Sequence, residues 1–375
     1  MEPTLGVATE YSSNPYLLST GERAVSDEAI LLDAPTRYDL DATHFSLEPS
    51  IRYSDSGAYS SLASNYFHLN AGASFAGELG ALSFTGGLGR DSSLYQNGLS
   101  SNGVGVRMDS GSAGMDWQRQ ITERSFLALD ASWNRVRYNQ GTESTGLVDY
   151  RYVSVGPSLS IAVSERNKFR VLAAAGQYLA LDGVTESKNF NLQVGFDRQL
   201  TEIWTVSTSA GYARSDNSEK IFFGPYFVGP VEYGPFLLGT IESEQKGPVY
   251  SATLTRQGET FAVTASASRA FRPSGFEFLS RADTAELDLS HTYSERWKFG
   301  AKASYQKTAT PSSNGSNFSL RYLSGQLSAE WHWTPTWMVT LNATWVSVKY
   351  VLPPISAQSS GVSLEISRQF LRIDL

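Results

Sequence analysis

Four histidines, His44, His68, His291 and His332, are the side chains of this sequence best suited to general acid–base chemistry. A hydrolase would set one of them beside a nucleophile and orient it with a third polar group. Serine is so frequent here that a Ser near a His carries no weight. Neither a Gly-x-Ser-x-Gly elbow nor a His-Glu-x-x-His pair occurs. The absence of cysteine removes thiol chemistry, thiolate zinc sites and disulfides. Oxygen ligands for calcium could come from Glu286 and Asp288, which share a face, or from Asp216, Glu219, Glu242 and Glu244. Two carboxylates on one strand are more often plain polarity, so no catalytic residue, metal or cofactor is expected.

The charged residues are informative once sorted by face. Glu48, Asp116, Asp130, Asp197, Glu286, Asp288, Glu330 and Glu365 alternate with apolar neighbours, as do Arg52, Lys168, Arg170 and Lys302. On one polar surface the acids outnumber the bases, which repels a polyanion and favours neutral or cationic cargo. Cross-pairing of these charges is the alternative. A second feature is Asp216 to Lys246, where Phe222, Phe223, Tyr226, Phe227, Tyr233 and Phe236 are interleaved with Gly-Pro steps. Aromatics on a loop are costly unless they cover something. They would form a constriction, stack on sugar rings, or pack as a lid.

Strands must carry these side chains. Leu127, Leu129, Ala131 and Trp133 alternate with Ala128, Asp130, Ser132 and Asn134. Trp337, Val339, Leu341, Ala343 and Trp345 alternate with Met338, Thr340, Asn342 and Thr344. Successive strand side chains point to opposite faces, so each segment has an apolar and a polar side. Leu129, Ala131, Leu341 and Ala343 should face lipid, and Asp130, Ser132, Asn342 and Thr344 a lumen. Many segments are longer than the roughly 5 or 6 residues of a sandwich strand. Their polar faces carry hydroxyls more than Lys and Glu, and aromatics gather at the segment ends.

Composition agrees. Of 375 residues only 18% are charged, 41% are apolar and 12% are aromatic. A chain poor in charge yet polar on average suits a barrel with one greasy and one wet surface. No window approaches the roughly 18 apolar residues of a membrane-crossing helix. A net charge of −7 argues against nucleic acid as a partner. The start, Met1-Glu2-Pro3-Thr4-Leu5, has neither a basic nor a greasy stretch, as expected once an export leader is removed.

The pattern predicts strands near 4–12, 28–38, 43–54, 65–76, 81–92, 104–118, 125–138, 148–163, 168–180, 189–200, 203–214, 248–257, 260–270, 283–293, 297–307, 318–333, 336–349 and 358–371. The short connections share a signature: Ile121-Thr122-Glu123-Arg124, Val163-Ser164-Glu165-Arg166, Leu200-Thr201-Glu202-Ile203, Tyr293-Ser294-Glu295-Arg296 and Trp333-Thr334-Pro335-Thr336. A hydroxyl residue opens each turn by bonding to its own backbone. The expected fold is all-β: a transmembrane antiparallel up-and-down β-barrel of about 18 strands in the bacterial outer membrane, one domain over 1–375, with both termini periplasmic.

Glu10-Tyr11-Ser12-Ser13-Asn14, Ser268-Arg269-Ala270-Phe271-Arg272-Pro273-Ser274-Gly275 and the turn Ser294-Glu295-Arg296-Trp297 resemble the opening strand, a strand end and the recurrent turns of the β-barrel porin-2 group. Ser12 and Ser13 stand where that group usually has Asp. The resemblance implies a non-enzymatic barrel for exopolysaccharide export, working with outer-membrane lipid, a polysaccharide and a periplasmic export protein. A passive porin for small solutes and a closed barrel acting as surface adhesin or receptor are the alternatives. An outer-membrane hydrolase is the least supported reading.

Overall fold

The computed structural model describes residues 3–15, 17, 19, 22, 24–55, 65–92, 107–139, 147–223, 226–228, 231–234, 236–275, 279–310, 318–350 and 354–370. Their strands are β1 (Thr4–Ser12), β2 (Val25–Asp33), β3 (Thr36–Leu40), β4 (Thr43–Asp55), β5 (Tyr66–Gly77), β6 (Gly80–Ser92) and β7 (Arg107–Thr122). β8 (Ser125–Tyr138), β9 (Tyr150–Ser164), β10 (Asn167–Ala180), β11 (Thr185–Gln199), β12 (Trp204–Phe223), β13 (Tyr226–Val228) and β14 (Val231–Tyr233) follow. The last are β15 (Phe236–Gln257), β16 (Phe261–Pro273), β17 (Leu279–Ser294), β18 (Trp297–Thr310), β19 (Phe318–His332), β20 (Trp337–Tyr350) and β21 (Ile355–Gln369).

Nineteen of these form one sheet, and β13 with β14 forms a separate hairpin. β2 and β3 pair with the two halves of β4 and are one strand, so the sheet has 18 staves. The break falls at Pro35, which has no N–H to give the ladder. Ala34 N bridges it by donating to Pro49 O at 3.1 Å. Every neighbouring pair is antiparallel. β1 pairs with β21 from Thr4↔Gln369 to Ser12↔Gly361, which closes the barrel. Each of the 18 expected segments overlaps a stave, with positions 104–106 and 371 outside the described residues.

The repeated turn signature works as its chemistry predicts. Thr122, Ser164, Thr201, Ser294 and Thr334 each accept, through the side-chain oxygen, the backbone N–H two residues on, at 3.3–3.4 Å. Thr201 and Thr334 also accept from the Trp204 and Trp337 N–H groups, at 3.1 and 3.0 Å. All five turns lie at one end of the barrel, the end with short connections. In membrane barrels the short turns are periplasmic and the longer loops extracellular.

The two faces differ sharply. Outward side chains include Val7, Phe84, Val155, Val194, Leu327 and Leu341, all exposed on the barrel exterior. At the short-turn end Trp297 stacks on Trp331 at 5.8 Å, and Trp331 on Trp333 at 6.3 Å. Inward, serines meet across neighbouring strands: Ser132 with Ser154 at 2.7 Å, Ser209 with Ser251 at 2.7 Å, and Ser304 with Ser324 at 2.6 Å. An even-stranded closed barrel with an apolar outer belt and an aromatic girdle is an outer-membrane barrel. Among the described residues, two clusters of apolar core lie near the extracellular mouth.

Candidate functional site

The candidate site is the lumen and its extracellular mouth. Glu48, Arg52, Asp130, Lys168, Arg170, Asp197, Glu286, Asp288, Lys302 and Glu330 all stand at inward positions of their strands, opposite in parity to exposed apolar residues such as Phe169, Leu287 and Ile51. Arg52, Arg170 and Lys302 are engaged by acids. Arg52 binds Glu10 at 2.9 Å and lies 3.5 Å from Asp27. Arg170 binds Asp197 and Ser207, both at 2.8 Å. Lys302 lies 3.2 Å from Asp288, and Arg37 lies 3.8 Å from Glu48. Lys168 sits over the Phe126 ring at 5.3 Å. Acids remain in excess: Asp116 is directly opposite Asp130, and Glu286 is opposite Ser266 and Ser304. Among the described residues none of these three is in an ion pair, so the lumen keeps a negative field.

The mouth is narrowed by the β16–β17 tip, Ser274 and Gly275 at the end of β16 and Leu279 and Ser280 at the start of β17. Tyr178 shares the inward parity of Lys168 and Arg170 and is fully buried. Its hydroxyl donates to the Ser274 carbonyl at 3.2 Å, and its ring stacks on Tyr150 at 5.2 Å. Val148 N donates to Gly275 O at 2.8 Å. Leu279 completes an apolar cluster with Val148, Tyr178 and Ala180. β11, β12 and β15 stand between β10 and β16 in the wall. The tip therefore reaches its partners through the interior. Ser274, Leu279 and Ser280 are at 2% exposure or less. Ser274 and Ser280 hydroxyls lie 2.9 Å apart and tie the two sides of the tip together.

A side chain at position 275 would force its neighbours to shift. A Cβ there would come 2.5 Å from the Tyr138 hydroxyl and 2.9 Å from Leu147 Cδ2. A second patch lies across β19 and β20, where inward Leu320, Val348 and Tyr350 pack against Leu17 of the β1–β2 connection. Leu17 takes a left-handed φ of 50° to do so. Burial pushes the Tyr150 and Tyr350 phenols up to about 12. A raised phenol pKa leaves the packing intact below the ordinary tyrosine value and weakens it as pH climbs towards the raised one. Channel conductance should therefore not change with pH between about 5 and 9 through these groups, and should rise only as pH passes about 10. A pH series in planar bilayers checks this.

The segment Asp216 to Lys246 corrects the sequence reading. It is not a loop but a two-stranded ribbon: β12 continues to Phe223, β15 begins at Phe236, and the two pair from Trp204↔Arg256 to Phe223↔Phe236. β11 leaves β12 at Glu219, and β16 pairs with β15 only from Tyr250 down. Above those points the ribbon stands clear of the wall. Successive residues Phe222, Phe223 and Phe236 to Leu238 are exposed on both faces. The backbones of Tyr226, Phe227 and Tyr233 lie in the β13–β14 hairpin, and their side chains are outside the described residues. Gly-Pro steps were read as loop punctuation, yet alternating Thr240–Lys246 against Arg214–Lys220 extends the ladder. Deleting Phe222 to Leu237 should leave single-channel conductance unchanged. A rise in planar bilayers would show that the ribbon does narrow the pore.

The other candidate residues have ordinary partners. His44 Nδ1 lies 2.7 Å from Asp39, and His68 Nε2 lies 3.5 Å from Asp91 while its ring stacks on Tyr66. His291 faces outward between Phe261 and Tyr293. His332 is inward on β19. Asp216 and Glu244 are taken up by Arg214, at 2.9 and 3.5 Å. No metal-ligand cluster occurs among the described residues. The mouth cluster does not stand out in the sequence, because small hydroxyl side chains dominate the inward face. Its signal was present: Tyr150, Tyr152 and Tyr178 occupy the hydroxyl parity, and Pro273-Ser274-Gly275 follows a strand.

No family model and no curated protein matches the sequence. Several solved structures resemble the fold. OccK9 (OpdG) of Pseudomonas aeruginosa is 11% identical, with 98% of each chain covered and a TM-score of 0.47. OpdK of the same organism, solved with vanillate, is 11% identical with the same coverage and a TM-score of 0.46. The open form of the ferric-catecholate import receptor Fiu of E. coli K12 is 10% identical with a TM-score of 0.49, covering 98% of this chain and 81% of that one. At such distances nothing of their cargo carries over.

Proposed function

We propose that this chain is a passive outer-membrane pore that admits small hydrophilic solutes and holds back large ones at a standing narrow mouth. It transports rather than catalyses. The observation that carries the reading is the β16–β17 tip, buried inside the mouth against Tyr178. Below it the wall is lined by hydrogen-bonded serines and ion pairs. A barrel of 18 strands leaves an aqueous channel unless something fills it. Tight packing suits a fixed size limit better than a gate displaced by a passing polymer, so the porin reading displaces exopolysaccharide export. The uncompensated acids Asp116, Asp130 and Glu286 favour neutral and cationic solutes.

Proteoliposome swelling with neutral sugars of increasing size should show a sharp cut-off. A potassium chloride gradient across a planar bilayer should give a cation-selective reversal potential. No swelling with monosaccharides, or free passage of large dextrans, would sink the proposal. The projecting ribbon, with Phe222, Phe223 and Leu238 exposed, is the one observation that favours a surface-binding role beside it.

A further inference from the structure

We propose that the outer face of β18, β19 and β20 carries a binding site for the phosphorylated headgroup of an outer-leaflet lipid. Three cations form a row there. Lys307 is directly opposite Arg321, and Arg321 is directly opposite Lys349. They share the outward parity of Tyr305, Leu323 and Trp345, all exposed on the exterior. Like charges directly opposed across strands destabilise a sheet. Among the described residues none of the three is in an ion pair, whereas several other cations of the same rim are paired. Arg90 binds Asp109 at 2.7 Å, Lys188 binds Glu186 at 3.1 Å and Arg214 binds Asp216 at 2.9 Å. Beside the row, Asp283 is opposite Lys307, but Arg269 already holds that carboxylate through both nitrogens. The row therefore needs an anion that the chain does not supply.

Its height identifies the anion. Lys307 lies ten residues above Trp297, and Arg321 ten residues above Trp331, both members of the stacked girdle at the periplasmic end. At strand rise and barrel tilt, ten residues span about 25 Å, the height of the apolar belt. The cations thus sit at the extracellular edge of the hydrocarbon, at the level of lipid phosphates. Below them lie Tyr305 and Leu323, directly opposite each other, so acyl chains and phosphate would be met by one continuous surface. Basic side chains at that level attract anionic headgroups.

The test uses the full folded chain in detergent and, as probe, hexa-acylated lipid A bearing both phosphates, beside the same lipid with both phosphates removed. The variant K307Q/R321Q/K349Q should bind the phosphorylated lipid about 100-fold more weakly, each cation contributing about fivefold near an anionic surface. The comparison variant R90Q/K188Q/R214Q removes the same charge from rim positions that already have acids, and should change binding little. Dephosphorylated lipid should bind both variants and the wild type equally weakly. R321Q alone, from the middle of the row, should cost about fivefold and covers the case in which the triple variant does not fold. Folding is read by heat-modifiable gel mobility and unaltered conductance. Wild-type affinity in the folded row variants, or an equal loss in the comparison variant, would overturn the site. Displacement of lipid A by millimolar inorganic phosphate would overturn the lipid as its ligand.

Discussion

Replacing Tyr178 with Ala should open the pore. The ring is fully buried, bonds the Ser274 carbonyl and stacks on Tyr150. Truncating a buried aromatic to Ala costs about 3–5 kcal/mol in packing and cavity terms. Here most of that loss falls on the contact between the β16–β17 tip and the wall, because the 18-strand ladder does not depend on it. Local units of a fold open independently when their own contacts are few. The tip should leave the mouth for much of the time, with a several-fold rise in single-channel conductance and greater uptake of large antibiotics. Gly275→Val should act in the same direction by a different route, since its Cβ collides with Tyr138 and Leu147. If both variants fold and both conduct like the wild type, the tip does not set the pore size and the size-limit proposal loses its support.

Leu341→Arg and Asn342→Arg should differ greatly although they are neighbours. Leu341 is exposed on the outer face of β20, four residues above Trp337, and so lies within the apolar belt. Arg on the lipid face of a barrel near the midplane costs about 2–4 kcal/mol. Asn342 is turned inward, donating to Ser363 at 3.3 Å and accepting from Gln326 at 3.4 Å. Arg there loses two weak hydrogen bonds but keeps water around its charge, a cost of about 1 kcal/mol. Denaturant titrations of refolding into phospholipid vesicles measure both. Equal losses would mean that the inside and outside of β20 have been exchanged.

Sequence alone determined the wall. Period-two alternation over long segments requires two unlike faces, and a one-residue slip would exchange them, so register and orientation follow from residue order. The turns were equally legible, because a Ser or Thr side chain bonds to a backbone N–H two residues away and needs no distant partner. Inward placement of Asp130, Arg170 and Lys302 came from the same parity. Tertiary structure alone decided the mouth. Ser274 and Tyr178 lie 96 positions apart in the chain. Nothing local states that a hairpin tip will cross the lumen rather than extend outward. The ribbon of β12 and β15 shows the converse. Its aromatics suggested a lid, yet β12 and β15 pair along the segment with one irregularity at Ile221/Phe222, because an antiparallel ladder satisfies N–H and C=O groups that a loop would have to leave to water.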